Sequence, residues 1–293
     1  MSEFTIVQAP SGLGLEAKGV EQLPEALLEA KFAERLGASA GPRVAPMPGG
    51  GLDPETGVLN IAAVADFAVR LADALEPLLE GQEFPVVLGG DCSILLGAML
   101  SLRRSRRAGL LFVDGHADFY QPEAEPAGEV ASMDLAFACG RGPRPLADPE
   151  GNGPLVRDED VVVFGFRDAQ EQDEAGSQPL PETTLAIDLE TVRSAGIGTA
   201  TERAITYLTR SDGPDGFWVH LDADVLDDAI MPAVDYRLAG GLSWEELRYV
   251  LGAAMATDRA LGLELTIFNP TLDPDGSVAR DLSGAVASAL RNV

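Results

Sequence analysis

Residues 110–119, LLFVDGHADF, decide the fold assignment, because they join an uninterrupted apolar run to a cluster of ligand-type side chains. The run shows no alternation of polar and apolar residues, which is typical of a parallel strand buried on both faces. Asp114, His116 and Asp118 then follow at every second position. Side chains two residues apart in an extended chain point to the same side, so these three can converge. The stretch therefore predicts a buried strand that ends in a ligand cluster.

Two further apolar runs end in the same way. VVLGGDCS (residues 86–93) places Cys92 just after a strand, and WVHLDADVLD (residues 218–227) places Asp222 and Asp224 after another. Ligands bind beyond the carboxyl ends of the strands in open parallel sheets. Carboxylates that converge there repel one another unless a cation neutralises them. We therefore predict a metal centre with six ligands: Cys92, Asp114, His116, Asp118, Asp222 and Asp224.

Most of the residues in this cluster are hard-to-borderline ligands, which suit divalent metal ions. Aspartate and histidine suit Mn²⁺, while the softer Cys92 makes Zn²⁺, Fe²⁺, Co²⁺ and Ni²⁺ alternatives. Two such ions ~3.5–4 Å apart can share a hydroxide that attacks at neutral pH. Two other interpretations stay open: the aspartates could be solvated turn residues, and Cys92 a buried filler beside one ion. His220, inside the third strand, is interpreted as a packed residue or one that supports a ligand.

The remaining sequence alternates short apolar runs with amphipathic stretches, as in a parallel sheet covered by helices. We predict one α/β domain over residues 1–293, with a mostly parallel sheet. Strands are expected at Phe84–Leu88, Gly109–Val113, Asp160–Phe164, Thr184–Ile187, Phe217–Leu221 and Leu261–Leu265. Helices are expected at Leu59–Leu79, Ser93–Arg103, Ser243–Ala256 and Val278–Leu290.

The charge balance narrows the classes of partner. The chain carries 47 acidic and 21 basic residues, for a formal charge of −26. Such a field repels nucleic acids and anionic membranes and favours cationic ligands, although it also suits a soluble surface in a saline cytoplasm. The sequence shows neither a signal peptide nor an apolar membrane span. We therefore predict a cytoplasmic protein that acts on a small molecule, without nucleic-acid or membrane partners.

At these motifs the chain resembles the ureohydrolase family of arginase, agmatinase and formimidoylglutamase. The resemblance implies a three-layer, doubly wound α/β fold of the arginase/deacetylase kind. It also implies Mn²⁺ as the usual metal and a homo-oligomer, either trimer or hexamer. It implies that Asp114 and Asp222 bridge two ions, that Cys92 and Asp118 complete one, and that His116 and Asp224 complete the other. The matching segments are GVEQLPEALLEA (19–30), the three ligand segments, FGFRD (164–168), PAV…GGLSWEEL (232–247) and GLELTIFNP (262–270).

Two departures from the family affect the metal and the proton transfer. The family motif GGDHS reads GGDCS here, so Cys92 stands in place of a histidine. The family segment SGN-x-HG reads AGEVAS, which puts Ala131 where a proton-shuttling histidine is usual. Glu123 and Glu129 lie close in sequence and could replace it, or could be solvated loop carboxylates.

Two more departures affect the substrate. The family motif D-x-x-E-x-NP places Ile267 where a glutamate grips the guanidinium, and Glu264 at the aspartate position. Asp235 and Tyr236 could replace that anchor, or could simply finish a loop. Tyr120 and Gln170 stand where arginases place smaller polar or acidic groups. The specificity residues are therefore expected to differ from those of an arginase.

The leading prediction is a binuclear-metal hydrolase that cleaves a C–N bond in a guanidino or amidine compound other than L-arginine. The alternatives are a deacetylase-like amide hydrolase and a catalytically silent oligomeric binding protein of the same fold. Catalytic roles are expected for His116, Asp118 and Glu264. Substrate contacts are expected from Tyr120, Asp235, Tyr236, Glu264 and Ile267.

Overall fold

An eight-stranded, wholly parallel sheet runs through the centre of the protein. The structure, a computed structural model, describes residues 3–291. The strands lie in the order β2-β1-β3-β8-β7-β4-β5-β6, so the chain first builds the two flanks of the sheet and then fills its middle with the last two strands, β7 and β8. They are β1 (Phe4–Gln8), β2 (Ser39–Arg43), β3 (Phe84–Leu88), β4 (Ala108–Val113), β5 (Val161–Phe164), β6 (Leu185–Ile187), β7 (Gly216–Asp222) and β8 (Ala260–Thr266).

Helices cover both faces of the sheet. They are α1 (Leu23–Glu29), α2 (Phe32–Leu36), α3 (Ile61–Glu80), α4 (Leu95–Arg103), α5 (Asp134–Ala138), α6 (Arg144–Ala147), α7 (Ala169–Ala175), α8 (Leu189–Ala195), α9 (Ile197–Leu208), α10 (Trp244–Met255) and α11 (Ser277–Arg291). Each of the four predicted helices corresponds to one of these, with ends that differ by a few residues. The stretch expected to be one helix from Ser93 begins instead as a 3₁₀ turn at Cys92–Ile94, followed by α4.

The core consists of two apolar layers, one on each face of the sheet. Alternate residues of a strand enter opposite layers: Leu111 and Val113 of β4 face α9 and α10, whereas Leu110 and Phe112 face α3 and α4. Both layers exclude water, which is why the central strands read as unbroken apolar runs. The predicted three-layer, doubly wound α/β fold is thus confirmed.

All six predicted strands are present, and the sheet gains two more from the start of the chain. β1 pairs with β3, and β2 pairs with the outer side of β1 to form one edge of the sheet. β2 reads SAGPR and none of its residues is buried, so it carries no hydrophobic signal. Proline is tolerated there because an edge strand leaves one row of N–H groups unpaired.

Two general features bear on the chemistry of the chain. Within residues 3–291, no helix is both long and apolar enough to cross a membrane. Cys92 and Cys139 are both buried free thiols.

Candidate metal centre

The predicted ligands meet at the carboxyl ends of the strands, because three central strands of the sheet end there. β3, β7 and β4 lie within four consecutive positions of the sheet, with β8 between β3 and β7. Because these strands are parallel, the residues at their carboxyl ends lie at the same end of the sheet. The side chain of His116 is 17% exposed, and the other five predicted ligands are at most 6% exposed. The structure therefore brings the six predicted residues together at one place.

Their atoms form two groups that share one carboxylate. The inner group is Cys92, Asp114, His220 and Asp222, and the outer group is Asp114, His116 and Asp224; in each, the ligand atoms lie within 4.8 Å of one another. Among residues 3–291, only Asp114 belongs to both groups. This arrangement differs from the predicted one in three ways: His220 joins the inner group, Asp118 lies outside both, and Asp222 belongs to the inner group alone.

Backbone amides orient the carboxylates at the two strand ends. The amide of His116 donates to Asp114 Oδ1 at 2.7 Å, and that of Asp224 donates to Asp222 Oδ1 at 2.7 Å. The amide of Gly115 donates to Asp224 Oδ1 at 3.1 Å, which ties the β4 loop to the β7 loop. These bonds leave the second oxygen of Asp224 to face the cluster, where Oδ2 lies 3.0 Å from His116 Nδ1.

The electrostatics of the cluster favour a bound cation. Burial and the charges of Asp224 and Asp114 raise the pKa of Asp222 well above its usual value. Burial also raises the pKa of Asp118, with Asp114 contributing, and that of the Cys92 thiol, with Asp222 contributing. Each anion is thus disfavoured by burial and by its neighbours. A divalent ion would reverse this effect, since a nearby positive charge stabilises carboxylates and thiolates.

Two buried polar atoms face each other without a hydrogen bond. Asp114 Oδ2 and His220 Nε2 lie 3.6 Å apart, and neither has a partner among residues 3–291. Buried polar atoms rarely remain without a hydrogen bond, and a metal ion bound close to both of these atoms would satisfy them. Together with the thiol–carboxylate contact of 2.8 Å between Cys92 and Asp222, this shows that the residues present fit a metal ion.

Gly90 lets the GGDCS loop pack directly against the loop that follows β1. A Cβ atom at this position would lie 1.6 Å from the carbonyl oxygen of Ser11. The neighbouring Asp91 accepts a hydrogen bond from the Ser11 hydroxyl at 3.0 Å and another from the Ser93 amide, so it caps the turn that carries Cys92. The close approach therefore sets the position of Cys92.

Gly90→Ala is expected to destabilise the protein by about 3 kcal/mol or more, because the added methyl group meets backbone rather than a movable side chain. Chemical denaturation would measure the loss. Gly252→Ala is the matched control: Gly252 lies in α10 with no atom near the added Cβ, so stability should rise by about 0.5–1 kcal/mol. Equal stability of the two variants would contradict this account of the loop.

The FGFRD segment holds two of the ligand loops in place. Arg167 donates to the carbonyl oxygens of Asp224 at 2.9 Å and Leu238 at 2.7 Å. Asp168 accepts from the amide of Ala117 at 3.2 Å, inside the DGHAD loop. Sequence comparison marked this segment without giving it a role, and the structure shows it bracing the β4 and β7 loops.

A cavity of about 420 Å³ opens above the cluster. Most of the residues predicted for the site line it: Cys92, His116, Asp118, Tyr120, Asp222, Asp224, Tyr236 and Ile267. Asp114 lies fully buried beneath them. Gln170, by contrast, is exposed on α7, bonded to Glu174, and does not line the cavity.

Two of the residues predicted to contact the substrate, Glu264 and Asp235, do not line the cavity. Glu264 is fully buried within β8 and bonds His220 Nδ1 at 2.7 Å, so its carboxylate faces the interior and not the cavity. This position does not fit a catalytic or substrate-binding contact. Asp235 does not line the cavity either; both of its oxygens accept from Asn269 Nδ2, at 3.1 and 3.0 Å.

The two glutamates suggested for proton transfer differ in position. Glu123 is exposed on the surface, away from the cavity. Glu129 is 3% exposed and lines the cavity, where it accepts a hydrogen bond of 2.7 Å from the hydroxyl of Tyr236. Of the two, only Glu129 is placed to exchange a proton with a bound molecule.

Sequence reasoning missed one acidic residue beside the cluster. Asp134, on α5, is fully buried and neither of its carboxylate oxygens has a hydrogen-bond partner among residues 3–291. Burial, with the charges of Asp114 and Glu264, raises its pKa well above the usual value. An aspartate inside the apolar stretch MDLAFA was the available signal, because buried aspartates are rare unless they are paired.

A parallel sheet whose strand ends hold such a cluster beneath a cavity defines a metal-dependent hydrolase architecture. Residues 2–291 match the Arginase family, and the chain belongs to that family. It is a hydrolase acting on C–N bonds, in a family whose members depend on a binuclear, typically manganese, centre. The predicted ureohydrolase membership is thus confirmed.

Individual relatives show the same likeness. Arginase from Bacillus caldovelox is 29% identical over 99% of this chain and 97% of its own. The solved structure of arginase from Bacillus caldovelox superposes with a TM-score of 0.89 at 26% identity, covering 100% of this chain and 99% of that one. Formimidoylglutamase from Bacillus subtilis shares the fold at 16% identity, with a TM-score of 0.75 and coverage of 99% and 87%.

Proposed function

We propose that the protein is a binuclear-metal hydrolase that cleaves a C–N bond in a small guanidino or amidine compound other than L-arginine. The observation that carries the proposal is the two groups of ligand atoms, joined at Asp114, at the base of an open cavity. When bound, two divalent ions would activate water as the nucleophile at neutral pH. Mn²⁺ is the proposed metal, with Zn²⁺, Fe²⁺, Co²⁺ or Ni²⁺ as alternatives because of Cys92.

The chain's own residues would bind and orient a cationic substrate. Asp118, Glu125 and Glu129 line the cavity in addition to the ligands, and Tyr120 and Tyr236 add aromatic surface. Carboxylates around an apolar wall favour a small cation with a partly apolar body. We propose that His116 and Asp118 act at the reacting end of this cavity, as metal ligands or beside them.

The substrate is proposed to differ from L-arginine because Ile267 lines the cavity where the family resemblance implies a carboxylate. An aliphatic side chain cannot form the charge-assisted, bidentate pair that best recognises a guanidinium. A less basic compound, such as an N-hydroxyguanidine, loses less by facing Ile267. The active form is further proposed to be a cytoplasmic homo-oligomer of three or six copies, as the family resemblance implies.

Elemental analysis of the purified protein, followed by ammonia and urea assays on a panel of guanidines and amidines, would test this function. We expect two ions per chain and turnover of at least one member of the panel, with L-arginine a poor substrate. An acetylated amine belongs in the panel as the amide alternative. Fewer than two ions at saturation, or hydrolysis of the amide alone, would overturn the proposal.

For Cys92, the expectation is that it ligates and lowers the preference for Mn²⁺. Its Sγ lies 2.8 Å from Asp222 Oδ2 and the residue is 1% exposed. Cys92→Ser is expected to weaken Zn²⁺ binding relative to Mn²⁺ at least about tenfold, because a hydroxyl is a harder ligand than a thiolate, and Cys92→His is expected to shift the preference further towards Mn²⁺. Competitive metal titration measures the ratio.

The matched control for Cys92 is Cys139→Ser. Cys139 is also buried, at the end of α5, and is not among the grouped ligands. Its replacement should leave the Zn²⁺/Mn²⁺ preference unchanged. The same ratio in the Cys92→Ser protein would show that this thiol only packs.

A further inference from the structure

We infer that His220 is a ligand of the inner metal ion and that Glu264 holds it in position, an assignment that rests on the proposed metal centre. The inner ion would then have a Cys-His-Asp-Asp donor set: Cys92, His220, Asp114 and Asp222. The family resemblance gave neither residue this role, and sequence reasoning placed Glu264 at the substrate.

The imidazole of His220 is fixed on several sides. His220 on β7 lies directly opposite Glu264 on β8 in the strand register, and its Nδ1 is 2.7 Å from Glu264 Oε1. Its ring stacks on Phe112 of β4, with centroids 4.4 Å apart and planes within 5° of parallel. Both side chains of the His220–Glu264 pair are fully buried. The ring therefore has one direction left in which to offer an atom, along Nε2.

That atom points into the ligand cluster. With the carboxylate of Glu264 as the acceptor, Nδ1 carries the ring proton, and Nε2 is the nitrogen that a neutral imidazole would offer to a metal ion. Nε2 faces Asp114 Oδ2 at 3.6 Å, too far for a hydrogen bond. A metal ion between or beside these two atoms would satisfy both of them in this dry interior. Ligating histidines usually donate their second ring N–H to such a carboxylate.

The donor set determines which ion the inner position prefers. One thiolate, one imidazole and two carboxylates match the ligands and the coordination number of Zn²⁺. The outer group has two carboxylates and one imidazole, and no sulfur. The inner ion would therefore have softer ligands than the outer ion, and the inner site should bind Zn²⁺ or Co²⁺ in preference to Mn²⁺.

The composition of the chain offers a direct test, because it contains only two histidines, His116 and His220. In the His116→Ala protein, any imidazole bound to metal must come from His220. X-ray absorption of this variant loaded with one equivalent of Zn²⁺ should show sulfur at about 2.3 Å together with imidazole scattering. Sulfur without imidazole would overturn the assignment of His220.

Two further variants keep the assignment falsifiable if one of them folds poorly, with folding checked by circular dichroism. His220→Ala should bind one ion fewer per chain than the wild type. Glu264→Gln should keep the inner ion but bind it about 10–100-fold more weakly, because the orienting charge is lost. Two ions bound with wild-type affinity in both variants would show that His220 and Glu264 only pack.

These outcomes separate the inference from the proposed function. Wild-type protein with two ions, but no imidazole on zinc in the His116→Ala variant, rejects the role of His220 alone. Imidazole present in that variant, without turnover of any guanidine or amidine by the wild type, supports the ligand and rejects the proposed reaction. Absence of bound metal in the wild type overturns both.

Discussion

Replacing Asp114 with asparagine is expected to remove both metal ions and to lower the rate of hydrolysis on the order of a thousandfold or more. Asp114 is the one described residue that the inner and outer groups share, and it is fully buried. Burial alone would raise its pKa, but the nearby imidazoles of His116 and His220 outweigh this effect and hold the pKa below its usual value, so Asp114 is an anion. Asparagine keeps the shape and removes that charge. Elemental analysis and a saturating-substrate assay give the two readouts.

Asp160→Asn serves as the control for Asp114→Asn. Asp160 is also a fully buried aspartate, but it precedes β5 and therefore lies at the amino-terminal end of the strands, opposite the ligands. There it pairs with Arg107 and Arg210. Its replacement should lower stability and leave the metal content at two ions per chain. If Asp114→Asn kept two ions while remaining folded, the shared-ligand hypothesis would be wrong.

Replacing Ile267 with glutamate is expected to raise kcat/KM for L-arginine by about two orders of magnitude. The change would supply the carboxylate that a guanidinium lacks here, and a hydrogen bond to a charged group contributes about 1.5–3 kcal/mol. Ile267 lines the cavity and is 4% exposed, so the new charge would meet a bound substrate with little water between them. Steady-state kinetics with L-arginine and with a less basic N-hydroxyguanidine would show the change in preference.

Backbone strain makes a second substitution necessary as a control. Ile267 has a φ of 68°, a left-handed conformation that is rare for a β-branched residue, and its amide donates to the carbonyl of Gly90 at 2.8 Å. Any unbranched residue relieves part of this strain, on the order of 1 kcal/mol. Ile267→Gln should share the gain in stability without the gain in arginine hydrolysis. Equal activity of the two variants would show that charge is not what limits the substrate range.

The sequence was sufficient to predict the centre of the sheet and the placement of the ligands, because both depend on local pattern. β4 and β7 are buried on both faces and read as apolar runs; Asp114 directly follows β4, and Asp222 is the last residue of β7. β1 and β2 were not predicted. β2 is an exposed edge strand containing proline, and β1 is a five-residue segment, FTIVQ, that includes threonine and glutamine, so neither gave a clear signal.

The finer arrangement of the site depends on contacts between strands, which one strand's sequence does not encode. His220 faces Glu264 only because β7 and β8 pair in one particular register. Glu264 was assigned to the substrate by analogy of motif, whereas its position within β8 places it behind the ligands. Asp118 follows the strand ligands in sequence, has a left-handed backbone with φ of 44°, and lies outside both groups.

The shared metal cluster also has a consequence for how the fold is maintained. Cys92 and Asp222, in contact within the inner group, are 130 residues apart in sequence, so the site exists only once distant strands have assembled. An ion that binds the native chain alone adds its binding free energy to folding, about 4 kcal/mol at a free concentration a thousandfold above Kd. Without the ion, the crowded carboxylates oppose assembly. With the proposed ions bound, chelation would act on the middle of the sheet, and metal supply would govern both the lifetime of the folded chain and its chemistry.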